Sequence, residues 1–129
     1  MGMLFVLSFT FGHSIYCISN HLGGFNMIHQ ITSEEEFDQM VQQGNVIVDF
    51  YATWCGPCRM IAPLLEELDE EKGNFNVLKV NVDSVSILAS RFSIQSIPTL
   101  HFYKDGKMVH ELIGFVPKKQ LNSMIDQLF

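Results

Sequence analysis

Two cysteines separated by two residues are the side chains with the clearest chemical potential in the sequence. They lie in the segment Trp54-Cys55-Gly56-Pro57-Cys58, between an apolar run and a helical pattern. One helical turn between them brings the two sulfurs within disulfide reach. If Cys55 precedes the helix, the free amides and the positive end of the helix dipole lower its thiol pKa below roughly 8.5. The spacing therefore predicts dithiol–disulfide exchange, in which Cys55 attacks and the more buried Cys58 resolves the mixed disulfide.

A pair of cysteines at this spacing is also half of many zinc sites. Zinc requires four ligands, usually from a second cysteine pair or a pair of histidines. The other candidates are Cys17 and five scattered histidines, and none of them forms a second pair at zinc-finger spacing. Redox chemistry is therefore favoured, and no metal site is expected. The five histidines are His13, His21, His29, His101 and His110.

Composition limits the classes of function that the chain can have. Its 129 residues are 47% hydrophobic, which favours one folded domain over a disordered chain. The net charge is −6, from 8 Lys and Arg against 14 Asp and Glu. This sign argues against binding to nucleic acid or to an anionic membrane, since both need a basic surface. Three cysteines are too few, and odd in number, for a disulfide-stapled scaffold.

The first 26 residues differ from the rest, because no Asp, Glu, Lys or Arg precedes Glu34. The apolar stretch at residues 3–11 is too short for a membrane span and lacks the basic start of a secretory signal. We expect residues 1–26 to be an N-terminal extension, either mis-assigned, disordered or signal-like. Residues 27–129 are expected to form the folded domain, with Met27 as the natural start.

Hydrophobic periodicity from Met27 onward predicts an α/β fold. The order β-α-β-α-β-α-β-β-α implies a mixed central sheet with helices on both faces. Ser33 and Glu36 form a capping box for the first helix, which Gly44 closes, and Asp105-Gly106 predicts a hairpin turn. The second helix should bury Met60 along with its leucines, contain a kink at Pro63, and expose its acidic residues. The strands are predicted at residues 28–31, 46–51, 77–82, 99–103 and 108–113. The third helix is predicted at residues 84–92, and the last helix is predicted to begin at Pro117. The acidic residues that the second helix should expose are Glu66, Glu67, Asp69, Glu70 and Glu71.

Three segments together resemble the thioredoxin family. Residues 49–63, Asp-Phe-Tyr-Ala-Thr-Trp-Cys-Gly-Pro-Cys-Arg-Met-Ile-Ala-Pro, are similar to its active-site segment. Ser-Ile-Pro-Thr-Leu at residues 96–100 resembles its cis-proline loop, and Lys-Asp-Gly-Lys at residues 104–107 its hairpin turn. The resemblance covers the chain from about Met27 to its end and implies the thioredoxin fold. Two departures are mild, since Tyr51 replaces a common Trp, and Arg59 replaces a common Lys with the same charge.

The resemblance implies a proton-handling pair beside the cysteines. Asp49 would be buried under the motif, where desolvation raises its pKa and lets it accept the proton of Cys58. Lys79 would lie close to Asp49. The alternatives are a solvent-exposed Asp49 at the end of its strand and a solvated strand lysine at position 79.

The resemblance also implies a binding surface for extended polypeptides. Pro98 would follow a cis peptide bond that presents the backbone of Ile97 to a substrate. Trp54, Ile97 and Gly114 would form a flat apolar rim around it, with Trp54 partly exposed rather than packed in the core. Gly56 and Pro57 would contribute to the same surface.

The resemblance therefore implies a protein-disulfide reductase that contributes to cell redox homeostasis. It would need no bound cofactor, act as a cytoplasmic monomer, and be re-reduced by an NADPH-dependent flavoprotein reductase. A secreted or organellar location follows instead if residues 1–26 are a targeting segment. The rival activities are an oxidase or isomerase, which commonly carries His between the cysteines, and a binding module in which the cysteines are incidental.

Overall fold

A computed structural model describes residues 27–129, so the expectations for residues 1–26 lie outside the described residues. Within this part of the chain, none of the helices is long and apolar enough to cross a membrane. The elements follow the predicted order, with bounds that differ from the predictions by at most four residues. They are β1 (Ile28–Gln30), α1 (Glu34–Met40), β2 (Asn45–Tyr51), α2 (Gly56–Lys72), β3 (Asn76–Asn81), α3 (Ser86–Arg91), β4 (Thr99–Lys104), β5 (Lys107–Ile113) and α4 (Lys118–Leu128).

The described strands form one mixed five-stranded sheet, as predicted. Its spatial order is β1-β3-β2-β4-β5. The pairs β1–β3 and β3–β2 are parallel, whereas β2–β4 and β4–β5 are antiparallel. The nearly continuous apolar run of β2 is explained by its position, because a central strand is covered on both faces.

Alternation along β2 divides the interior into two cores. Val46, Val48 and Phe50 point to the core that α1 and α3 cover. Ile47 points to the opposite core, which α2 and α4 cover. Asp49 shares the face of Ile47, because side chains two residues apart on a strand point the same way. The fold thus directs one carboxyl group into the core beneath α2.

The start of α1 is capped as predicted, but its end is not. The Glu36 amide donates to Ser33 Oγ at 3.1 Å, and Glu36 Oε1 accepts from the Thr32 amide at 2.7 Å. The helix ends at Met40, so the prediction that Gly44 closes it is wrong. Gly44 has φ +74° and instead forms the turn that leads into β2. The hairpin prediction is confirmed, since Asp105 (φ +50°) and Gly106 (φ +86°) connect β4 to β5.

Two predictions for the buried face of α2 are wrong. Met60 is 55% exposed, and Asp69 is buried. The buried stripe of α2 contains Cys58, Ile61 and Leu65. Successive residues of a helix are rotated by about 100°, so position 69 falls at the edge of this stripe and position 60 falls outside it. Pro63 lies inside the helix as expected, and the kink there stays a prediction.

Gly44, in the turn before β2, allows the effect of backbone conformation on stability to be tested separately from the effect of packing. A Cβ built on Gly44 or on Gly56 meets no atom within 4 Å, but only Gly44 has a positive φ. We expect Gly44→Ala to lower the free energy of unfolding by about 1 kcal/mol, because an L side chain is strained there. Gly56→Ala, in the first turn of α2, should leave it unchanged or raise it slightly. Urea unfolding of both variants measures this, and equal losses would contradict the assignment of strain to Gly44.

Candidate functional site

The two cysteines lie at the start of α2 and are joined by a disulfide bond. Cys55 is the N-cap residue of the helix, Cys58 lies in its first turn, and their Cα atoms are 5.3 Å apart. The Cys58 amide donates to Cys55 Sγ at 3.2 Å. The prediction that Cys55 precedes the helix, with its sulfur at a free amide, is therefore confirmed. A thiolate at this position would be stabilised by that amide and by the helix dipole.

The cysteines differ little in burial in this oxidised state. Cys55 is 5% exposed and Cys58 is 3% exposed, so the expected contrast between them is small. Ala52 completes a small apolar cluster with both, and Tyr51, Val82 and Ile97 pack partly against it. The disulfide is therefore held in an apolar environment.

The loop that precedes β4 approaches the sulfur of Cys55. The Ile97–Pro98 peptide bond is cis, as the resemblance implied. The carbonyl oxygen of Ile97 lies 3.8 Å from Cys55 Sγ. The amide of Gly114, which has φ +92°, donates to the Pro98 carbonyl at 2.8 Å and ties the end of β5 to this loop. The structure thus brings Cys55, Ile97, Pro98 and Gly114 together.

Trp54 projects from the site instead of packing into the core. It is 67% exposed, and its indole Nε1 donates to Asp83 Oδ2 at 2.9 Å. Sequence reasoning missed Asp83. One signal could have found it, because Asp83 follows β3, which is parallel to β2 and ends at the same edge of the sheet. Asp83 fixes the orientation of an exposed aromatic side chain beside the disulfide.

Arg59 also contacts the segment that leads to the cysteines. Its Nη1 donates to the carbonyl oxygen of Thr53 at 2.8 Å. The side chain thereby connects the first turn of α2 to the segment just before Trp54 and Cys55. The departure from the family's common Lys preserves the charge and adds the fixed donor geometry of a guanidinium.

Asp49 is buried on the face of the sheet that α2 covers, so the alternative of a solvent-exposed strand end is excluded. Its side chain is 0% exposed, and neither carboxylate oxygen has a hydrogen-bond partner among the described residues. Lys79 Nζ lies 3.5 Å from Asp49 Oδ2, which makes a long ion pair. Burial raises the pKa of Asp49 to about 6, and the charge of Lys79 opposes part of that rise.

The cysteine pair is the redox group in the part of the chain that the structure describes. No cluster of three or more His, Cys, Asp and Glu side chains that could hold a metal ion is found in residues 27–129. His101 is buried against Phe50 and Phe92, with Nε2 2.8 Å from Glu111 Oε2. It therefore packs in the core that α1 and α3 cover, on the other face of the sheet from Asp49.

Comparisons with known proteins agree with this geometry. The model of the Thioredoxin family matches residues 28–127. A thioredoxin of Mycoplasmoides gallisepticum is 43% identical over 96 residues, covering 74% of this chain and 96% of that protein. A thioredoxin of Listeria monocytogenes is 44% identical over 102 residues, covering 78% of this chain and 98% of that protein. The structure of Plasmodium falciparum thioredoxin is similar with a TM-score of 0.72 at 39% identity, covering 78% of this chain and 99% of that one.

The environment of Asp49 predicts a pH-dependent stability. The carboxyl has a pKa of about 6 in the folded chain and about 3.9 when unfolded. Between these values the folded chain binds more protons, so its stability falls as the pH rises from about 4 to about 6. Asp49→Asn does not titrate. Its free energy of unfolding relative to the wild type should therefore increase by about 2 kcal/mol between pH 4 and pH 7.

Urea unfolding of the oxidised proteins at several pH values measures this difference. Glu66→Gln, at an exposed position on α2, is the matched control. It removes a carboxylate without removing a buried one, so its difference from the wild type should stay nearly constant. A constant difference for Asp49→Asn would show that its carboxyl is not destabilised by burial.

Proposed function

The chain belongs to the thioredoxin family, and on this premise we propose that the Cys55–Cys58 pair and Asp49 carry out its reaction. The protein is a dithiol–disulfide oxidoreductase that reduces disulfides in other proteins, with its cysteine pair in the active-site position. The family needs no added cofactor. The observation that best supports the proposed roles is the Cys58 amide 3.2 Å from Cys55 Sγ, which would stabilise a thiolate on Cys55 only.

The reaction begins from the reduced form. The Cys55 thiolate attacks one sulfur of a substrate disulfide, a mixed disulfide forms, and the other substrate sulfur leaves and takes up a proton. Cys58 then loses its proton and attacks the Cys55 sulfur, which releases the second substrate thiol. Two electrons have passed to the substrate, and the Cys55–Cys58 disulfide remains.

Asp49 is proposed to accept the proton of Cys58 in the second step. It lies on the face of the sheet against which α2 buries Cys58, and its raised pKa of about 6 suits proton exchange near neutral pH. Lys79 is proposed to assist by stabilising the negative charge of the Asp49 carboxylate when Asp49 is deprotonated. A buried carboxyl without hydrogen bonds is costly to the fold, which supports a role in the reaction.

Substrate polypeptides are proposed to bind along the surface next to the disulfide. Trp54 is exposed there, Ile97 presents its carbonyl beside Cys55 Sγ, and Gly114 has no Cβ to obstruct an approaching chain. Gly56 and Pro57, between the cysteines, would lie under the bound segment. The backbone of Ile97, next to the cis bond at Pro98, would pair with an extended substrate.

We propose that residues 27–129 act as a complete, monomeric catalytic domain in the cytoplasm. The family match over residues 28–127 supports the boundary. An NADPH-dependent flavoprotein reductase would return two electrons to the Cys55–Cys58 disulfide, and the protein would then take part in electron transport. The Gly-Pro pair between the cysteines favours the reducing direction over an oxidase or isomerase.

Serine substitutions test the division of labour between the cysteines. With insulin as substrate and dithiothreitol as reductant, we expect Cys55→Ser to reduce insulin no faster than dithiothreitol alone. Reduced Cys58→Ser, mixed with insulin after the dithiothreitol has been removed, should not turn over but should accumulate a mixed disulfide with insulin, detectable as an added mass on a non-reducing gel. Cys17→Ser is the matched control and should keep full activity. Full activity of Cys55→Ser would refute the enzymatic role, and a mixed disulfide only in Cys55→Ser would reverse the assignment.

A further inference from the structure

The ammonium group of Lys79 is held between two partners. On one side its Nζ is 3.5 Å from Asp49 Oδ2. On the other side it lies over the ring of Tyr51, 4.5 Å from the ring centroid. The lysine side chain is 22% exposed, so solvent competes only in part for the charge. A cation over an aromatic face is attracted by the ring quadrupole, and the attraction strengthens as water is excluded.

The ring of Tyr51 is itself held by β1. Its hydroxyl donates to Gln30 Oε1 at 2.8 Å, and Gln30 Nε2 donates to the carbonyl oxygen of Lys79 at 3.2 Å. The strand register explains this arrangement, because Gln30 and Asp49 are the neighbours of Lys79 on either side of β3. Three adjacent strands therefore contribute to one polar chain that leads from Gln30 to Asp49.

We propose that Tyr51 is a positioning residue of the site: its ring holds the Lys79 ammonium against the Asp49 carboxyl, and Gln30 fixes the ring. The proposal rests on the proposed function in so far as the proton of Asp49 matters to the reaction. The tyrosine departs from the Trp common in the family. Its hydroxyl forms the bond to Gln30.

The electrostatic surroundings of Asp49 make the position of Lys79 decisive. Lys79 is the charged group that acts on Asp49 within the described part of the chain. The neighbour on β4 is the apolar Leu100. On α2 the buried titratable groups are Cys58, which is disulfide-bonded here, and Asp69, three turns further along. The helix α4 buries only apolar side chains. If the Lys79 ammonium moves away from Asp49, the ionised carboxyl of Asp49 therefore loses its main stabilising charge.

Carboxyl ¹³C shifts of Asp49, followed by NMR against pH in the oxidised full chain, test the proposal. We expect Tyr51→Leu to raise the titration midpoint of Asp49 by about half a pH unit, because Lys79 loses its second partner. Tyr51→Phe keeps the ring and should shift the midpoint by much less. Gln30→Leu, at an exposed position on β1, should give a small rise in the same direction and guards against a Tyr51→Leu chain that fails to fold.

The decisive comparison repeats Tyr51→Leu in a Lys79→Met background. If the ring acts through the lysine, the substitution there leaves the Asp49 midpoint unchanged. The same shift in both backgrounds, or no shift in either, would overturn the proposal. A fall in both would also overturn it, since the ring would then serve only to exclude water. The proposed proton role is tested separately, by whether Asp49→Asn slows insulin reduction, so the two failures are distinguishable.

Discussion

The site depends on the placement of the first turn of α2 at the end of the central strand. A short turn connects β2 to α2, so the free amides of the helix start where the buried strand ends. Cys55 is the N-cap residue, and its sulfur replaces the oxygen of a usual capping side chain as the acceptor for the Cys58 amide. The same contact caps the helix and stabilises negative charge on one sulfur of the pair. On the proposed roles, this contact at the start of α2 is what makes Cys55 the attacking cysteine.

The sheet that positions the helix also buries a carboxyl group at some cost in stability. Asp49 lies inside a strand whose neighbours Val48 and Phe50 are fully buried, and it has one long ion pair instead of hydrogen bonds. An apolar residue of similar size would suit this core better. Retaining the carboxyl is consistent with a site that gives up some folding free energy for proton transfer. Lys79, steadied by the ring of Tyr51, limits that loss.

The sequence was sufficient to predict the order of the elements and the redox pair, because both follow from local patterns. Alternation and helical period identified the elements, and the spacing of Cys55 and Cys58 identified the chemistry. The errors arose where local sequence patterns do not determine the orientation of a helix or the contacts between distant segments. Asp69 lies at the edge of the apolar stripe of α2 and Met60 lies outside it, and the polar or apolar character of one side chain does not reveal which way the helix faces the sheet. The contacts of Asp83 with Trp54 and of Gln30 with Tyr51 join segments far apart in sequence, and they require the arrangement of the strands in the sheet.

The rate at which iodoacetamide alkylates Cys55 in the reduced protein, followed by peptide mass spectrometry as a function of pH, tests the central claim most directly. We expect a midpoint well below about 8.5, the value for an ordinary thiol, with labelling of Cys55 ahead of Cys58 at neutral pH. A midpoint at the ordinary value, with both cysteines labelled at the same rate as glutathione, would contradict it. The helix start would then have no effect on the sulfur that it faces.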